Sequence, residues 1–364
     1  MPASGFDPTS LLRKAIRTFQ PFSSARKEAA GAKPTSPPVR LDANENPWPP
    51  PGDFAAQCAI NRYPEPQPEE IKNLLAELYK VTPDRILLSR GSDELPDLLI
   101  RSFCQPGREG IVLCPPTFPI YEVAAAINEA PVRRVPLRAA HGYDLDVEGI
   151  LKNWRPEEKL LIIPSPNAPM GHMMPEAQIM ALLEGLKERA IVVVDEAYIE
   201  FSGSPGWAAD LGRHPHLAIT RTLSKAYALA GARLGVLLAA PSVIAILAGV
   251  LPPYAISAPT ITLVKQALSD KGLALMKEHR ETLLSERERL GKALARYKMI
   301  KGIFPSDGNF LLVQTDDAAA LVARCREAGI LVRNRSGDLA NTVRVTIGSP
   351  AENDRLLAVL GAAA

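Results

Sequence analysis

The sequence predicts an α/β protein in two parts, a mostly parallel sheet in a large domain followed by a smaller α/β domain, on three observations. Between about Glu69 and Leu238, short β-branched apolar runs alternate with segments of helical period, the pattern of parallel strands joined by crossover helices. After Pro259 the order changes to a long helical stretch and then to a second, shorter set of strands and helices. The length of 364 residues accommodates two such units.

The elements follow in chain order. Leu12, Ile16 and Phe19 share one helical face with Arg13, Lys14 and Arg17 interleaved, which suggests a short amphipathic arm packed on the body or on a partner subunit. From Ser23 to Pro51 the chain is rich in Ala, Ser, Pro and Lys without periodicity, so residues 1–51 read as an extended arm. A large domain is expected over residues 52–258, with helices at Glu69 to Tyr79, Asp93 to Phe103, Pro119 to Ile127 and Pro175 to Ala190. Its strands are expected at Ile86 to Leu88, Ile111 to Leu113, Leu160 to Ile163, Ile191 to Val194, Leu217 to Thr220 and Leu234 to Leu238. The small domain, residues 259–364, should hold one helical stretch to about Tyr297, strands Phe310 to Gln314, Ile330 to Arg333 and Val343 to Ile347, and helices Asp317 to Ala328 and Pro350 to Leu360.

Composition removes several classes of function. With 42 basic against 40 acidic side chains, the chain has no field to gather nucleic acid or an anionic membrane. Four cysteines without a C-x-x-C pair read as buried thiols of a reducing compartment and exclude a disulfide scaffold or a cysteine metal site. His214 and His216, the only closely spaced histidines, read as a solvated turn beside Pro215, so no metal is expected. The apolar stretch Val236 to Leu251 is interrupted by Pro241 and Ser242 and is too short for a bilayer. A cytoplasmic location is expected.

Ligands of open α/β sheets sit at the carboxyl ends of the strands, and four predicted ends carry polar residues. At Ser89-Arg90-Gly91-Ser92-Asp93-Glu94 a strand stops and a helix opens, leaving amide groups suited to phosphate; a plain helix cap explains it equally well. Asn167 stands in a proline-rich turn, Pro164 to Gly171. Asp195 follows the run Ile191 to Val194, as a catalyst or as a cap. Lys225 follows two hydroxyl residues and precedes Arg233 by eight positions. A nucleophilic lysine needs a depressed pKa, which desolvation and neighbouring cations provide.

Together these residues form an inventory that fits pyridoxal phosphate. The pyridine nitrogen needs a carboxylate to hold its proton and the aldehyde needs a lysine. The ring oxygen needs a donor such as Asn167 or Tyr198, and the phosphate needs amides, hydroxyls and an arginine.

The stretches LDANENP (Leu41 to Pro47), NRYPEPQ (Asn61 to Gln67), SRGSDE (Ser89 to Glu94), PPTFPIY (Pro115 to Tyr121), DEAYIEF (Asp195 to Phe201) and RTLSKAYALAGARLG (Arg221 to Gly235) carry a resemblance. The chain resembles the fold-type I pyridoxal-phosphate-dependent aminotransferases, from about Leu41 to Leu360, and within them the branch that acts on histidinol phosphate. The resemblance implies transfer of an amino group between L-histidinol phosphate and 2-oxoglutarate, in a homodimer. It implies that Lys225 forms the Schiff base and shuttles the proton, that Asp195 pairs with the pyridinium nitrogen, and that Asn167 and Tyr198 bond the ring oxygen. Phe118 would stack on the ring, and Ser92, Asp93, Ser224 and Arg233 would hold the phosphate, which Tyr63 reaches from the other subunit. Asn46 and Arg344 match substrate-binding groups, Arg344 gripping the glutamate carboxylate. Arg333 is the candidate for the substrate's own phosphate, with the arm around Phe22 and Arg26 closing over it.

One stretch departs from the family pattern: SPNNPTG is here SPNAPMG, with Ala168 and Met170 in place of an amide and a hydroxyl. Altered stability or rate is expected there. Within the same fold an aromatic amino acid aminotransferase and a pyridoxal-phosphate decarboxylase of a phosphate-bearing substrate are the alternative enzymes. A silent cofactor-binding regulatory domain is the non-enzymatic alternative, and the retained lysine, aspartate and arginine speak against it.

Overall fold

The computed structural model describes residues 6–18, 20, 43–53 and 58–361. Leu41, Asp42, Phe19, Phe22 and Arg26 lie outside them. The large sheet comprises β1 (Ile86–Ser89), β2 (Gly110–Leu113), β3 (Val132–Arg134), β4 (Glu158–Pro164), β5 (Ile191–Asp195), β6 (Leu217–Thr222) and β7 (Gly235–Leu238), in the order β1-β7-β6-β5-β4-β2-β3.

Apolar side chains of successive residues leave the sheet on opposite faces. Leu161, Ile163, Val192 and Val194 enter one buried cluster and Leu160, Ile162, Ile191 and Val193 the other, which is why these strands appear in the sequence as uninterrupted apolar runs.

Six strands point one way, and β7 runs antiparallel to both β1 and β6. The sheet is therefore mostly parallel, as expected, with β7 the exception. The cause is the link between β6 and β7, which carries Lys225 and only a single 3-10 turn at Ala230–Ala232. A parallel return needs a longer crossover, usually a helix.

The small sheet comprises β8 (Ile300–Ile303), β9 (Phe310–Thr315), β10 (Arg333–Asn334) and β11 (Thr342–Thr346), ordered β10-β11-β9-β8 and antiparallel throughout. Leu311, Val313, Val343 and Val345 form its own core with Leu290, Leu294 and Leu356 of the surrounding helices. Leu312, of opposite parity, joins the large-body cluster.

Several expected elements shift. The long helical stretch divides into Ala258–Ala267 and Asp270–Leu294, because Ser269 caps the second helix by accepting from Gly272 N at 3.2 Å, as a helix-starting serine does. The expected strand Ile330 to Arg333 contracts to Arg333–Asn334, leaving Leu331 85% exposed. The strands Val132–Arg134 and Ile300–Ile303 were not expected. His214 and His216 are buried rather than solvated, with His216 Nε2 2.8 Å from Leu183 O.

Leu12 and Ile16 of the arm are buried in the second large-body cluster, and Arg13 N donates to Ser102 O at 3.1 Å. The four cysteines are buried and free. Among the described residues no helix is long and apolar enough to cross a membrane, and no cluster of three metal-ligating side chains occurs.

Candidate active site

The four polar strand ends meet around one cavity of about 150 Å³ lined by Ser92, Asp93, Phe118, Asp195, Lys225 and Arg233 among others. Adjacent β4, β5 and β6 bring this about, since Pro164 is level with Asp195 and Asp195 with Thr220. A chain leaving β6 at Thr222 reaches Lys225 within three residues.

Asp195 is held from two sides. Tyr121 Oη donates to its Oδ2 at 2.6 Å and Ala197 N to its Oδ1 at 3.1 Å. Burial pushes its pKa up, while the bonds from Tyr121, Thr220 and Ala197 favour the ionised form. Tyr121 was not singled out in the sequence. It closes the PPTFPIY stretch, but nothing local marks it as a partner for a residue 74 positions away.

Lys225 stands on the side of the cavity facing Tyr198, its Nζ 5.7 Å from that ring centroid. Although the lysine stays accessible to solvent in the single chain, partial desolvation depresses its pKa, and Arg344 and Arg233 push the same way. Tyr198 meets the edge of Phe310 at 5.2 Å and 73°, and the Arg344 guanidinium lies 5.5 Å from the Phe310 centroid. Phe310, which sequence reasoning passed over as a strand residue, thus joins the large body to the small sheet. Burial pushes the Tyr198 phenol up.

The Arg233 end of the cavity depends on missing side chains. Gly91 has φ +86°, and a Cβ there would come within 2.4 Å of Arg233 Nη2. A Cβ on Gly235 would come within 2.4 Å of Gly91 C and Ser92 N. These two glycines let the Ser89–Ser92 turn and Arg233 close on one point. Arg233 Nη2 is 3.6 Å from Asp93 Oδ2, and Thr222 Oγ1 donates to Ser224 Oγ at 3.0 Å.

Asn167 is fully buried beside Pro166 and Ala168, behind the cavity wall. Its Nδ2 donates to Pro116 O at 3.3 Å and its Oδ1 accepts from Met170 N at 3.1 Å. The second bond comes from backbone, so the residue type at 170 does not decide it. Met170, 1% exposed, packs in the large core cluster, which accounts physically for a thioether where the family pattern has a hydroxyl.

The structure does not bring every expected residue to the cavity of this one chain. Tyr63 is 47% exposed and stacks on Tyr254 at 4.4 Å. Asn46 is exposed, its Oδ1 accepting from Trp48 N at 3.0 Å. Arg333 is exposed and lies directly across from Arg344 in the β10–β11 pair. Arg335, not picked out in the sequence, is buried nearby and pairs with Asp338 at 2.6 Å.

The family pattern of aminotransferase class I and II matches residues 27–360. The histidinol-phosphate aminotransferase of Xylella fastidiosa (strain 9a5c) is 42% identical over 354 residues, covering 96% of this chain and 95% of that protein. That of Stenotrophomonas maltophilia (strain R551-3) is 41% identical over 360 residues, covering 98% and 97%. Among solved structures, histidinol-phosphate aminotransferase from Sinorhizobium meliloti in complex with pyridoxal-5'-phosphate superposes with a TM-score of 0.76 at 25% identity, covering 97% of this chain and 98% of that one.

Proposed function

The chain belongs to aminotransferase class I and II, and on that premise we propose that it exchanges an amino group between L-histidinol phosphate and 2-oxoglutarate, with pyridoxal phosphate, in histidine biosynthesis. The products are imidazole-acetol phosphate and L-glutamate. The observation that carries the reading is one cavity in which a lysine of depressed pKa and an aspartate bonded by Tyr121 stand at neighbouring strand ends.

The donor set fits the cofactor. The space kept by Gly91 and Gly235 beside Arg233 suits a phosphate, with the amides of Ser92 and Asp93 and the Ser224 hydroxyl as further donors. Asp195 would hold a proton on the ring nitrogen, Phe118 would cover one ring face, and Asn167 and Tyr198 would serve the ring oxygen. When bound, the cofactor supplies the electron sink that lets a substrate α-proton leave.

The protein's part is proton handling and orientation. Its depressed pKa gives Lys225 a larger neutral fraction near pH 7 than a free lysine has, which is the form that accepts a proton from the substrate's α-carbon. Asp195 needs the opposite state, and its three hydrogen bonds oppose the neutralising effect of burial. Arg344 would grip the substrate carboxylate and Arg333 the substrate phosphate. We further infer a cytoplasmic homodimer in which Tyr63 reaches the partner's cofactor phosphate, in keeping with its exposure in the single chain.

The test is glutamate formation from 2-oxoglutarate by purified protein given histidinol phosphate, histidinol or phenylalanine. A kcat/KM for histidinol phosphate far above the other two is expected. Comparable values for histidinol and histidinol phosphate would overturn the phosphate-reading pocket, and a preference for phenylalanine would make the protein an aromatic aminotransferase.

A further inference from the structure

Directly behind the cavity two charged side chains meet in the interior. Glu196 follows Asp195 at the end of β5, and Arg221 lies on β6, four residues before Lys225. Arg221 Nε donates to Glu196 Oε2 at 2.7 Å and its Nη2 lies 2.7 Å from the same oxygen, the side chains being 7% and 0% exposed. Glu196 Oε1 accepts from Trp207 N at 2.7 Å, and Arg221 Nη2 donates to Pro205 O at 3.2 Å. The guanidinium also lies 4.6 Å from the Tyr79 ring centroid.

The surrounding chain is shaped to this contact. Glu196 N donates to Thr220 O at 2.8 Å, so backbone and side chain tie the same two strand ends together. Gly206 has φ +72°, and a Cβ there would come within 2.4 Å of Glu196 Oε1 and 2.7 Å of Arg221 Nη2. Neither Glu196 nor Arg221 lines the cavity, so direct contact with a substrate does not explain them. Stability explains them poorly too, because the desolvation of a buried ion pair offsets much of its attraction and apolar residues of like volume often serve as well.

We propose that Glu196 and Arg221 are a positioning pair: they fix the strand end bearing Asp195 against the one bearing Lys225, and Arg221 cancels the charge that Glu196 would otherwise set beside Asp195. The pair supports the site from behind, as outer contacts must where reacting groups need sub-ångström placement. The proposal rests on the roles of Lys225 and Asp195 given above.

Three variants of the holoenzyme test it: Arg221→Lys, Arg221→Met, and Arg221→Met combined with Glu196→Gln. Each is read by kcat, KM, melting temperature and the pH midpoint of the bound cofactor's visible absorbance. Arg221→Lys keeps the charge and loses the planar fork, so kcat should fall about tenfold or more with KM within about threefold, the scale of a small misplacement. Its pH midpoint should stay put. The titratable groups facing the pair are Asp195, Glu200 and Tyr79; Arg221→Met leaves Glu196 uncompensated among them, and the added negative charge should raise the midpoint by about 0.5 to 1 pH unit. Adding Glu196→Gln should return the midpoint to its original value.

A pair with only a structural role would lower the melting temperature in all three variants and leave the kcat of Arg221→Lys and the midpoint of Arg221→Met unchanged, which overturns the proposal. If Arg221→Met does not fold, wild-type kcat in both remaining variants overturns it. Lys225→Ala is the control: turnover surviving there removes the underlying reading, whereas its loss beside unaffected Arg221 variants rejects the pair alone.

Discussion

The strand ends of the large sheet and the inner face of the small sheet meet through Tyr198 and Phe310 but are made differently. On the large-body side the two carboxylates Asp195 and Glu196 are buried and compensated, Asp195 by hydrogen bonds from Tyr121 and Ala197 and Glu196 by Arg221. On the small-sheet side Arg333 and Arg344 stand directly opposite each other across β10 and β11. Among the described residues neither forms an ion pair. Like charges in a cross-strand pair repel, and an anion bound between them relieves that repulsion. The difference separates two duties. On the roles proposed above, the carboxylate that holds a proton is set by burial and hydrogen bonds, and the arginines that would meet anionic substrates are left without an ion pair.

The sharpest way to break this division is Lys225→Ala. Turnover should fall by about four orders of magnitude or more, the range seen when a nucleophile is removed, as measured by glutamate formation. In the unaltered protein, borohydride reduction followed by peptide mapping should place the cofactor label on Lys225; a label on another lysine would end the assignment.

Next in size is Asp195→Asn, which should lower kcat about 10²- to 10³-fold, as loss of a preorganised charge-stabilising group does, with cofactor still bound by absorbance. Tyr121→Phe removes one bond to that carboxylate and should cost about tenfold. Equal effects of the two would mean that Tyr121 does more than hold Asp195.

The anion-facing side should respond in KM. Arg344→Ala should raise the apparent KM for both substrates about 10- to 150-fold, the worth of a guanidinium–carboxylate contact. Arg333→Ala should raise the KM of histidinol phosphate more than that of glutamate. A fall in kcat alone from either would blur the separation.

The smallest effect concerns stability. Glu200, behind the floor near Arg221, Glu196, Arg280 and Tyr227, is pushed by burial up to about 7 from 4.5, and its Oε2 has no hydrogen-bond partner. A carboxyl raised on folding is protonated in the native chain and ionised in the unfolded chain between these pH values. Its contribution to stability is therefore full below about pH 4.5 and is lost as pH rises to about 7. Relative to Glu200→Gln, the natural protein should lose up to about 3 kcal/mol between pH 5 and 8, measured by urea denaturation. Parallel curves for the two would reject the shifted carboxyl.

Much of this architecture was legible locally. An apolar run followed by a polar residue marks a buried strand and its mouth, and Asp195 after Ile191–Val194 and Lys225 after β6 were found on that signal. Gly91 beside Ser92 marked the turn before a helix in the same way. The edge strand Val132–Arg134 gave no such signal because it pairs on one side only, with β2, and carries two arginines where a central strand would carry apolar residues. The reversal of β7 was invisible because strand direction is not written in hydrophobicity.

What the sequence by itself determined, then, are the features set by neighbours in the chain: buried strands, their mouths, and the residue types placed there. The tertiary structure alone decided that Tyr121 donates to Asp195, that Arg221 meets Glu196 across 25 residues, that Phe310 bridges Tyr198 and Arg344, and that Tyr63 and Asn46 stay outside this chain's own cavity. Those contacts depend on strand order and register, which follow from how both faces of the sheet are covered at once, and no periodicity within a short window encodes that.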